Sequence, residues 1–431
     1  MVRIIPEVLK PPLYPVSRLF QYLLGFVNFT CWLTWLTLNL LLMPMQLARL
    51  DPAHRSSDLL LIAPIGLLSI LLVSPVVGAL SDRTTSRFGR RRPWLLTGTL
   101  LVTTTLLLML HVTTFLFLLL EYTLFQVGIT IIMVSLNAII PDQVPHKQHA
   151  TIAAIVGLAQ PSGAMVGTLL LTSHAPVPFA VYYVQIGILF FSVLLFLLLA
   201  REKALPPGVI PARAWQRLFS TCWVEPLHTP GFGLTWLTRS LVYAGYALLP
   251  CSLPSLLQAT QTGTSFVHFL PAQSLAPDMT DLLLVLSITI ILIAPISGIL
   301  SDRWQQRKAF VIVGGLLIAS TGLFMIGSHS LLVLTYAIIL FGVGFATYFS
   351  ADLAFTMQIL PSRATHGRDM GLLTIASMLP QVPGPGLAAL LMALFHSNTA
   401  LCLVGALFAL AGTLLVRYPR GVRQETTPAI G

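Results

Sequence analysis

Long apolar stretches alternate with short polar segments along the whole chain. A membrane-spanning helix needs about 20 predominantly apolar residues, and the 431-residue sequence offers twelve such windows. They are 19–45, 59–80, 94–111, 115–140, 151–172, 178–200, 232–257, 279–300, 309–327, 331–359, 370–395 and 398–416. Backbone polar groups inside lipid must be satisfied within the spanning segment, which a helix achieves. The pattern therefore predicts an all-α membrane protein with twelve transmembrane helices.

The polar segment after the second apolar window recurs after the eighth. Residues 74–83 read SPVVGALSDR and residues 294–303 read APISGILSDR, an offset of 220 residues. Two similar halves are typical of secondary transporters, so we predict two pseudo-symmetric six-helix bundles, in residues 1–200 and 231–431. The proline-rich segment 201–230 is predicted to be a cytoplasmic linker. Its stretch ARAWQRLFSTCW favours either a short amphipathic helix on the inner leaflet or a disordered connection.

Charge is scarce and unevenly placed. Only 9% of the residues are charged, against about 25% in soluble domains. With the N-terminus in the cytoplasm, 21 of the 24 Lys and Arg fall in inner segments, the outer loops hold Arg49 and Arg55, and Arg239 lies inside a span. The positive-inside rule then predicts that both termini are cytoplasmic, and we expect the protein in the plasma (inner) membrane. The net charge of +10 indicates contact with anionic lipid at that face rather than nucleic acid.

Motifs for enzymatic or ATP-driven chemistry are absent from the sequence. It contains no GxxxxGK[ST] phosphate loop, no HExxH and no G-x-S-x-G. The four cysteines, Cys31, Cys222, Cys251 and Cys402, are scattered without metal-ligand spacing. We therefore expect no enzyme activity, no cofactor, no metal and no disulfide, and we expect the chain to act as a monomer.

The repeated loop carries a motif that extends further in the first half. From Gly78 to Pro93 it reads GALSDRTTSRFGRRRP. This stretch resembles the loop signature between helices 2 and 3 of the major facilitator superfamily. The longer form SDRxxSRFGRRRP is most similar to the branch that contains the plant sucrose/proton symporters and their bacterial relatives. Residues 140–145 (IPDQVP) and 360–371 (LPSR to GRDMG) fit the same branch.

The resemblance implies the major facilitator fold, with this loop as a conformational lock. Gly78 permits close helix approach, and Asp82 is expected to lie near Arg side chains and a helix N-terminus, whose partial positive charge favours an anion. The predicted gating residues are Gly78, Asp82, Arg83, Arg87, Gly89, Arg90, Asp302 and Arg303. Alternatively, the Arg cluster only fixes topology and binds anionic lipid.

Two departures from the branch weaken the expected lock. Relatives carry an Arg-Gly pair after PDQVP, where this chain has residues 146–150, HKQHA. The second-half loop ends at Arg307-Lys308 without the Gly-Arg-Arg-Arg run. We therefore expect a weaker inner lock in the first half.

Three ionisable residues inside predicted spans are candidates for a functional role, because charge there is costly and usually functional. The superfamily resemblance implies that helices 1, 4, 7 and 10 line a central cavity, so Arg239 and Asp352 are expected to face each other there. The pair is either a protonation switch or a static structural contact. Glu121 either takes up protons from the outer side or extends to the outer interface. We predict Glu121 or Asp352 as the proton carrier.

Polar and aromatic residues share one face of the first and seventh spans. Asn28, Trp32, Trp35 and Asn39 follow at spacings of four, three and four, and Arg239, Tyr243 and Tyr246 follow likewise. Amides beside flat aromatic rings suit a sugar, although Trp and Tyr also anchor spans at membrane interfaces. We predict these seven residues to be substrate-binding.

The sequence therefore favours a secondary active transporter that moves a small polar solute, such as a sugar or glycoside, by alternating access. Because the chain has no ATP site, proton symport is the expected drive. Two other functions stay open: export of amphipathic compounds, and a non-transporting assembly factor of the same fold. The expected partners are a small-molecule substrate, protons and the lipid bilayer.

Overall fold

The helices follow the apolar windows closely. The computed structural model describes residues 14–50, 55–145, 148–172, 178–200, 202, 230–259, 277–304, 306–326, 330–359, 365–381, 383–395 and 397–416. Its α-helices are α1 Arg18–Thr37, α2 Met43–Leu50, α3 Arg55–Arg83, α4 Arg92–Met109, α5 Phe115–Gln143, α6 His149–Gly157, α7 Ala159–Thr172, α8 Pro178–Leu199, α9 Pro230–Leu248, α10 Leu253–Ala259, α11 Pro277–Trp304, α12 Arg307–Met325, α13 Leu331–Ile359, α14 His366–Met378, α15 Pro383–Phe395 and α16 Asn398–Leu415.

Every predicted window contains helix, and no strand occurs among the described residues. Within the described part of the chain, nine helices are long and apolar enough to cross a membrane. The prediction of an all-α membrane fold is confirmed. Most of the linker 201–230, including its possible amphipathic helix, lies outside the described residues.

Two of the windows contain a divided helix, at equivalent places in the two halves. The fifth window is split between α6 and α7 at Leu158, and the eleventh is interrupted after Met378, 220 residues later. Pro161 and Pro380 lie just beyond these points. Proline has no backbone N–H to donate to the preceding turn, so it breaks helical hydrogen bonding there. The sequence repeat is therefore visible as a structural repeat.

Apolar side chains form two main cores, one for most of each half. The first joins side chains of α1 to α6 and α8 with a few from α9, α13 and α14, and the second joins α9 to α13 with α16. Gly98 and Gly128 let α4 and α5 approach closely, since a Cβ on Gly98 would lie 2.9 Å from the Gly128 carbonyl oxygen. Gly314 and Gly344 do the same for α12 and α13. Large apolar side chains such as Leu198 remain exposed on the outside, where lipid would cover them.

Candidate functional site

A cavity lies between the two halves and is lined by both. Its walls come from α1, α3, α5, α6 and α7 on one side and from α9, α13 and α14 on the other. It contains about 870 Å³ of open space, including the part open to solvent. Its polar lining side chains are Asn28, Thr130, Asn137, Gln160, Arg239, Tyr243, Thr374 and Ser377. We call this space the central cavity.

The wall contributed by the second half carries a buried ion pair. Nη1 of Arg239 lies 2.9 Å from Oδ2 of Asp352, and the two residues are 7% and 3% exposed. Nε of Arg239 donates to Oγ of Ser377 at 2.7 Å, and its guanidinium carbon lies 5.6 Å from the centre of the Tyr243 ring. Only Arg239 of the pair lines the cavity. The two charges face each other as the sequence indicated, and their role in transport remains a prediction.

The first-span face enters the cavity only in part. Asn28, Trp32 and Trp35 line it, and the two indoles meet edge to face with centroids 5.7 Å apart. Asn39 does not line it: its side chain donates to the Trp35 carbonyl at 2.7 Å and accepts the Tyr122 hydroxyl at 2.9 Å. The α-helical period ends at Thr37, where a π-helical turn, Leu38–Leu42, begins. The wider turn carries Asn39 off the predicted face.

Tyr246 also lies away from the cavity lining, unlike Tyr243. Its ring stacks on Phe345 at 4.1 Å and lies near Phe341 at 5.6 Å, so aromatic packing in the second core occupies it. Helical spacing predicted that Tyr246 shares a face of α9 with Arg239 and Tyr243. It gave no information about the aromatic rings of α13 that cover Tyr246.

Two amides in the cavity wall were not among the predicted site residues. Asn137 and Gln160 line the cavity, and the described residues provide no hydrogen-bond partner for either side chain. Asn137 is a single amide within the apolar run IIMVSLNAII of α5. An isolated amide in an apolar run is the sequence feature that could have predicted this site residue. Both amides are available to a solute.

Glu121 is buried in α5 and does not line the cavity. The residue is only 2% exposed, and its Oε2 has no hydrogen-bond partner among the described residues. Whether Glu121 takes up protons or lies near the outer interface stays a prediction. The surrounding helices shield its carboxyl, which sequence distance from the end of a helix does not reveal.

A second polar site lies at the end of the bundle that carries the repeated loops, here called the charged end. Asp82 pairs with Nη2 of Arg91 at 2.5 Å and accepts the backbone N–H groups of Gly367 and Arg368, each at 3.0 Å. These N–H groups belong to the first turn of α14, whose N-terminus favours an anion. A Cβ on Gly78 would collide with Gly367. Asp82 thus ties the first half to the second, next to the close approach that Gly78 permits.

Arg91 and Asp142 extend this cluster, and the predicted gating set omitted both. Arg91 is fully buried, and its Nη2 lies 3.0 Å from Oδ2 of Asp142; it also bonds Ser81. Asp142 further meets Arg90 at 2.5 Å and Nδ1 of His366, from the other half, at 3.0 Å. Arg90, one of the predicted gating residues, thus contacts this cluster, and its gating role stays a prediction. Asp142 is the acidic residue of the motif IPDQVP, and this motif could have predicted its place in the cluster.

The weaker first-half lock expected from the missing Arg-Gly pair stays a prediction. Asp142 has three cationic or imidazole partners without the Arg-Gly pair that relatives carry. The residues that replace that pair, 146 and 147, lie outside the described residues. Of the other predicted members, Arg83 is half-buried, whereas Arg87 is exposed and lies 4.8 Å over the Phe88 ring.

The second half repeats the arrangement around Asp302, which is half-buried. Oδ2 of Asp302 accepts the Thr151 backbone N–H at 3.1 Å, in the first turn of α6, and Oδ1 pairs with Arg307 at 3.0 Å. Arg307 also donates to the Ala354 carbonyl at 3.2 Å. Arg303, predicted for this role, is exposed. Since the 220-residue offset aligns Arg307 with the exposed Arg87, the two locks use different arginines.

Glu202, at the start of the linker, holds the loop before α4. Its carboxylate accepts the backbone N–H groups of Arg91 at 3.0 Å and Arg92 at 3.2 Å, which caps the N-terminus of α4. Burial raises the pKa of the Glu202 carboxyl above its ordinary value, and the Arg91 N–H and positive charge oppose that rise. Gly89 has φ of 107° and packs against Glu202. Gly89 therefore permits both the loop conformation and the cap.

We expect Gly89→Ala to lower the thermal stability of the protein. A side chain at this φ is strained by about 1–3 kcal/mol, and the added Cβ would collide with Oε2 of Glu202. Gly187→Ala is the matched control, because a Cβ there meets nothing within 4 Å. Thermal unfolding of both variants in detergent measures the difference. Equal melting temperatures for the two variants would contradict the assigned role of Gly89.

Two helical halves around a shared cavity, with charged contacts at one end, define the architecture of a membrane transporter. The family profile described as Major Facilitator Superfamily matches residues 22–365 and 235–431. The chain belongs to the major facilitator superfamily and is an integral, multi-pass membrane protein. The crystal structure of the human organic anion transporter MFSD10 (TETRAN) is similar, with a TM-score of 0.74 and 19% sequence identity over 94% of this chain and 100% of that chain. At that identity the likeness concerns the fold.

Proposed function

We propose that this transporter is a proton-coupled secondary carrier that moves a small polar solute by alternating access. The observation that carries the proposal is the Arg239–Asp352 pair in the cavity wall between the halves. A buried ion pair pays desolvation on both partners, and one that borders a solute cavity can change partners when a proton or solute arrives. The sucrose-symporter-like loop motif is the sequence argument for the same function.

The contacts at the charged end support the alternating-access part. Asp82, Asp142 and Asp302 each bond across the boundary between the halves, to α14, His366 and α6 respectively. These contacts join the halves at one end of the cavity. We propose that they close one entrance and break when the halves rock.

We further propose that the charged end faces the cytoplasm and that both termini lie there, in the plasma membrane. The asymmetry of Lys and Arg supports this orientation. A cysteine introduced at Arg423 should react with an impermeant maleimide only after cells are permeabilised, with unsubstituted protein as the background control. Labelling in intact cells would reverse the orientation.

The cavity lining supports two candidate classes of solute. The free amides of Asn137 and Gln160 and the indoles of Trp32 and Trp35 suit a glycoside, whose hydroxyls and C–H faces need such groups. Apolar side chains of α5, α6 and α13 also line the cavity, which favours a second candidate, an amphipathic compound. Uptake into proteoliposomes, screened first with sugars and then with amphipathic drugs, separates the two.

We expect the solute to drive proton movement through Asp352. Asp352 is in contact with the cavity-lining Arg239, whereas Glu121 lies off the cavity. In proteoliposomes containing a pH-sensitive dye, addition of a transported solute should acidify or alkalinise the lumen for wild type and have no such effect for Asp352→Asn. Glu121→Gln is the matched acid-to-amide variant, and flux lost there instead would make Glu121 the carrier. Transport without proton flux in wild type would exclude coupling.

A further inference from the structure

The charge distribution of the central cavity is one-sided. Among the described lining residues Arg239 is the only one with a full charge, and no carboxylate belongs to the lining. Asp352 pairs with Arg239 but does not itself line the cavity. A solute in the cavity therefore meets a guanidinium but not its counter-ion.

The guanidinium is also held in position. Ser377 accepts its Nε–H, Asp352 lies at Nη1, and the Tyr243 ring lies on one side. The contact at Nη1 lacks the alignment of a hydrogen bond with Asp352, so it is an ionic contact that a better-placed acceptor can replace. A planar guanidinium in fixed orientation is suited to carboxylate or similar acidic groups.

We propose that the transported solute is an amphipathic organic acid whose anionic group binds Arg239 in place of Asp352. When Asp352 accepts a proton, its negative charge is removed and Arg239 is left as an uncompensated buried cation. Such a charge costs several kcal/mol, which an anion can offset and a neutral sugar cannot. One proton and one monoanion then move together without net charge. This inference rests on the proposed transport function and specifies its substrate.

The rest of the cavity suits the body of such an acid. Trp32 and Trp35 present aromatic surface, Met133 and Leu353 present apolar surface, and Gln160 provides an unpartnered amide. An apolar lining with few polar groups is the usual environment of a ring-bearing ligand. The acidic group of the solute then lies against Arg239 of α9, and the ring of the solute lies against side chains of α1 and α5.

Two matched probe pairs test the assignment. Phenyl β-glucuronide carries a carboxylate where phenyl β-glucoside has a hydroxymethyl group, and 2-naphthoate carries a carboxylate where 2-naphthamide has a neutral amide of nearly the same shape. Binding is measured by thermal shift and tryptophan fluorescence on the full chain in lipid nanodiscs. We expect wild type to prefer the acid of at least one pair by about tenfold or more, the value of a charge-assisted hydrogen bond. Asp352→Asn should increase that preference, since the asparagine releases Arg239.

Arg239→Gln should abolish the preference while binding of the neutral probe persists. If this variant does not fold, the double variant Arg239→Gln/Asp352→Asn removes both charges and supplies the same test. Arg18→Gln, which removes an exposed positive charge outside the cavity, should keep the preference. Equal binding of acid and neutral probe by wild type in both pairs, or a preference that survives in the double variant, would overturn the inference.

Counterflow in proteoliposomes separates this inference from the transport proposal. If neutral probes move and acids do not, the transport proposal stands and the inference is wrong. If the acids bind at Arg239 but nothing moves, the binding assignment stands and the transport proposal is wrong. Failure of both acids to bind overturns the inference whatever the neutral probes do.

Discussion

Asp82→Asn is expected to shift the protein strongly away from the conformation that is closed at the charged end. The carboxylate accepts two N–H groups from the start of α14 and pairs with the fully buried Arg91. Asparagine keeps the shape but loses the charge, so the helix N-terminus and Arg91 both lose an anionic partner. Hydrogen bonds to charged groups are worth about 1.5–3 kcal/mol, and a loss of about 2 kcal/mol changes the ratio of two conformations roughly 30-fold.

Spin-label distances across the charged end measure this shift. Phe88 and Trp304, both 57% exposed, are suitable label positions on the two halves. Asp302→Asn is the matched control in the second half, because Asp302 binds Arg307 and the first turn of α6 but is only half-buried, whereas Asp82 is buried. We expect a smaller shift from Asp302→Asn than from Asp82→Asn. Unchanged distances and transport in Asp82→Asn would exclude a lock at this residue.

Separating Arg239 from Asp352 is expected to destabilise the protein more than removing both charges. Either Arg239→Gln or Asp352→Asn alone leaves a buried charge without its partner, at a cost of about 3–5 kcal/mol. The double variant removes the attraction and the uncompensated charge together, so its stability should lie closer to wild type than either single variant. Ser377 remains to bond the glutamine in place of the Arg239 Nε–H.

A double-mutant cycle on thermal unfolding and on transport checks this coupling. Arg18→Gln, an exposed cation outside the pair, should leave the melting temperature near that of wild type. We expect the two single variants to show strongly non-additive losses of stability. Additive losses would mean that the 2.9 Å contact does not couple the two residues energetically.

The sequence by itself determined the helical elements and their repeat. Apolar length predicts a span without knowledge of the rest of the fold, because the backbone of each helix satisfies its own hydrogen bonds. The 220-residue repeat is likewise visible as two similar motifs. Helical spacing also placed Asn28, Trp32 and Trp35 on one face, since that relation is local to a single helix.

The tertiary structure decided which of these residues meet across helices. Sequence could not choose Arg91 over Arg83 as the partner of Asp82 in the structure, because the loop path depends on Gly89 and on Glu202 from a distant segment. In the same way, aromatic rings of α13 cover Tyr246, and a π-helical turn moves Asn39 away from the cavity.

The buried state of Glu121 is the clearest such case. Its side chain is 2% exposed, whereas its position along α5 gave no information about the side chains that cover it. The Arg239–Asp352 contact shows the opposite situation, because two rare charges inside apolar spans had few other partners available. Local periodicity and the cost of buried charge are properties of the sequence, whereas side-chain neighbours from other helices exist only once the helices pack.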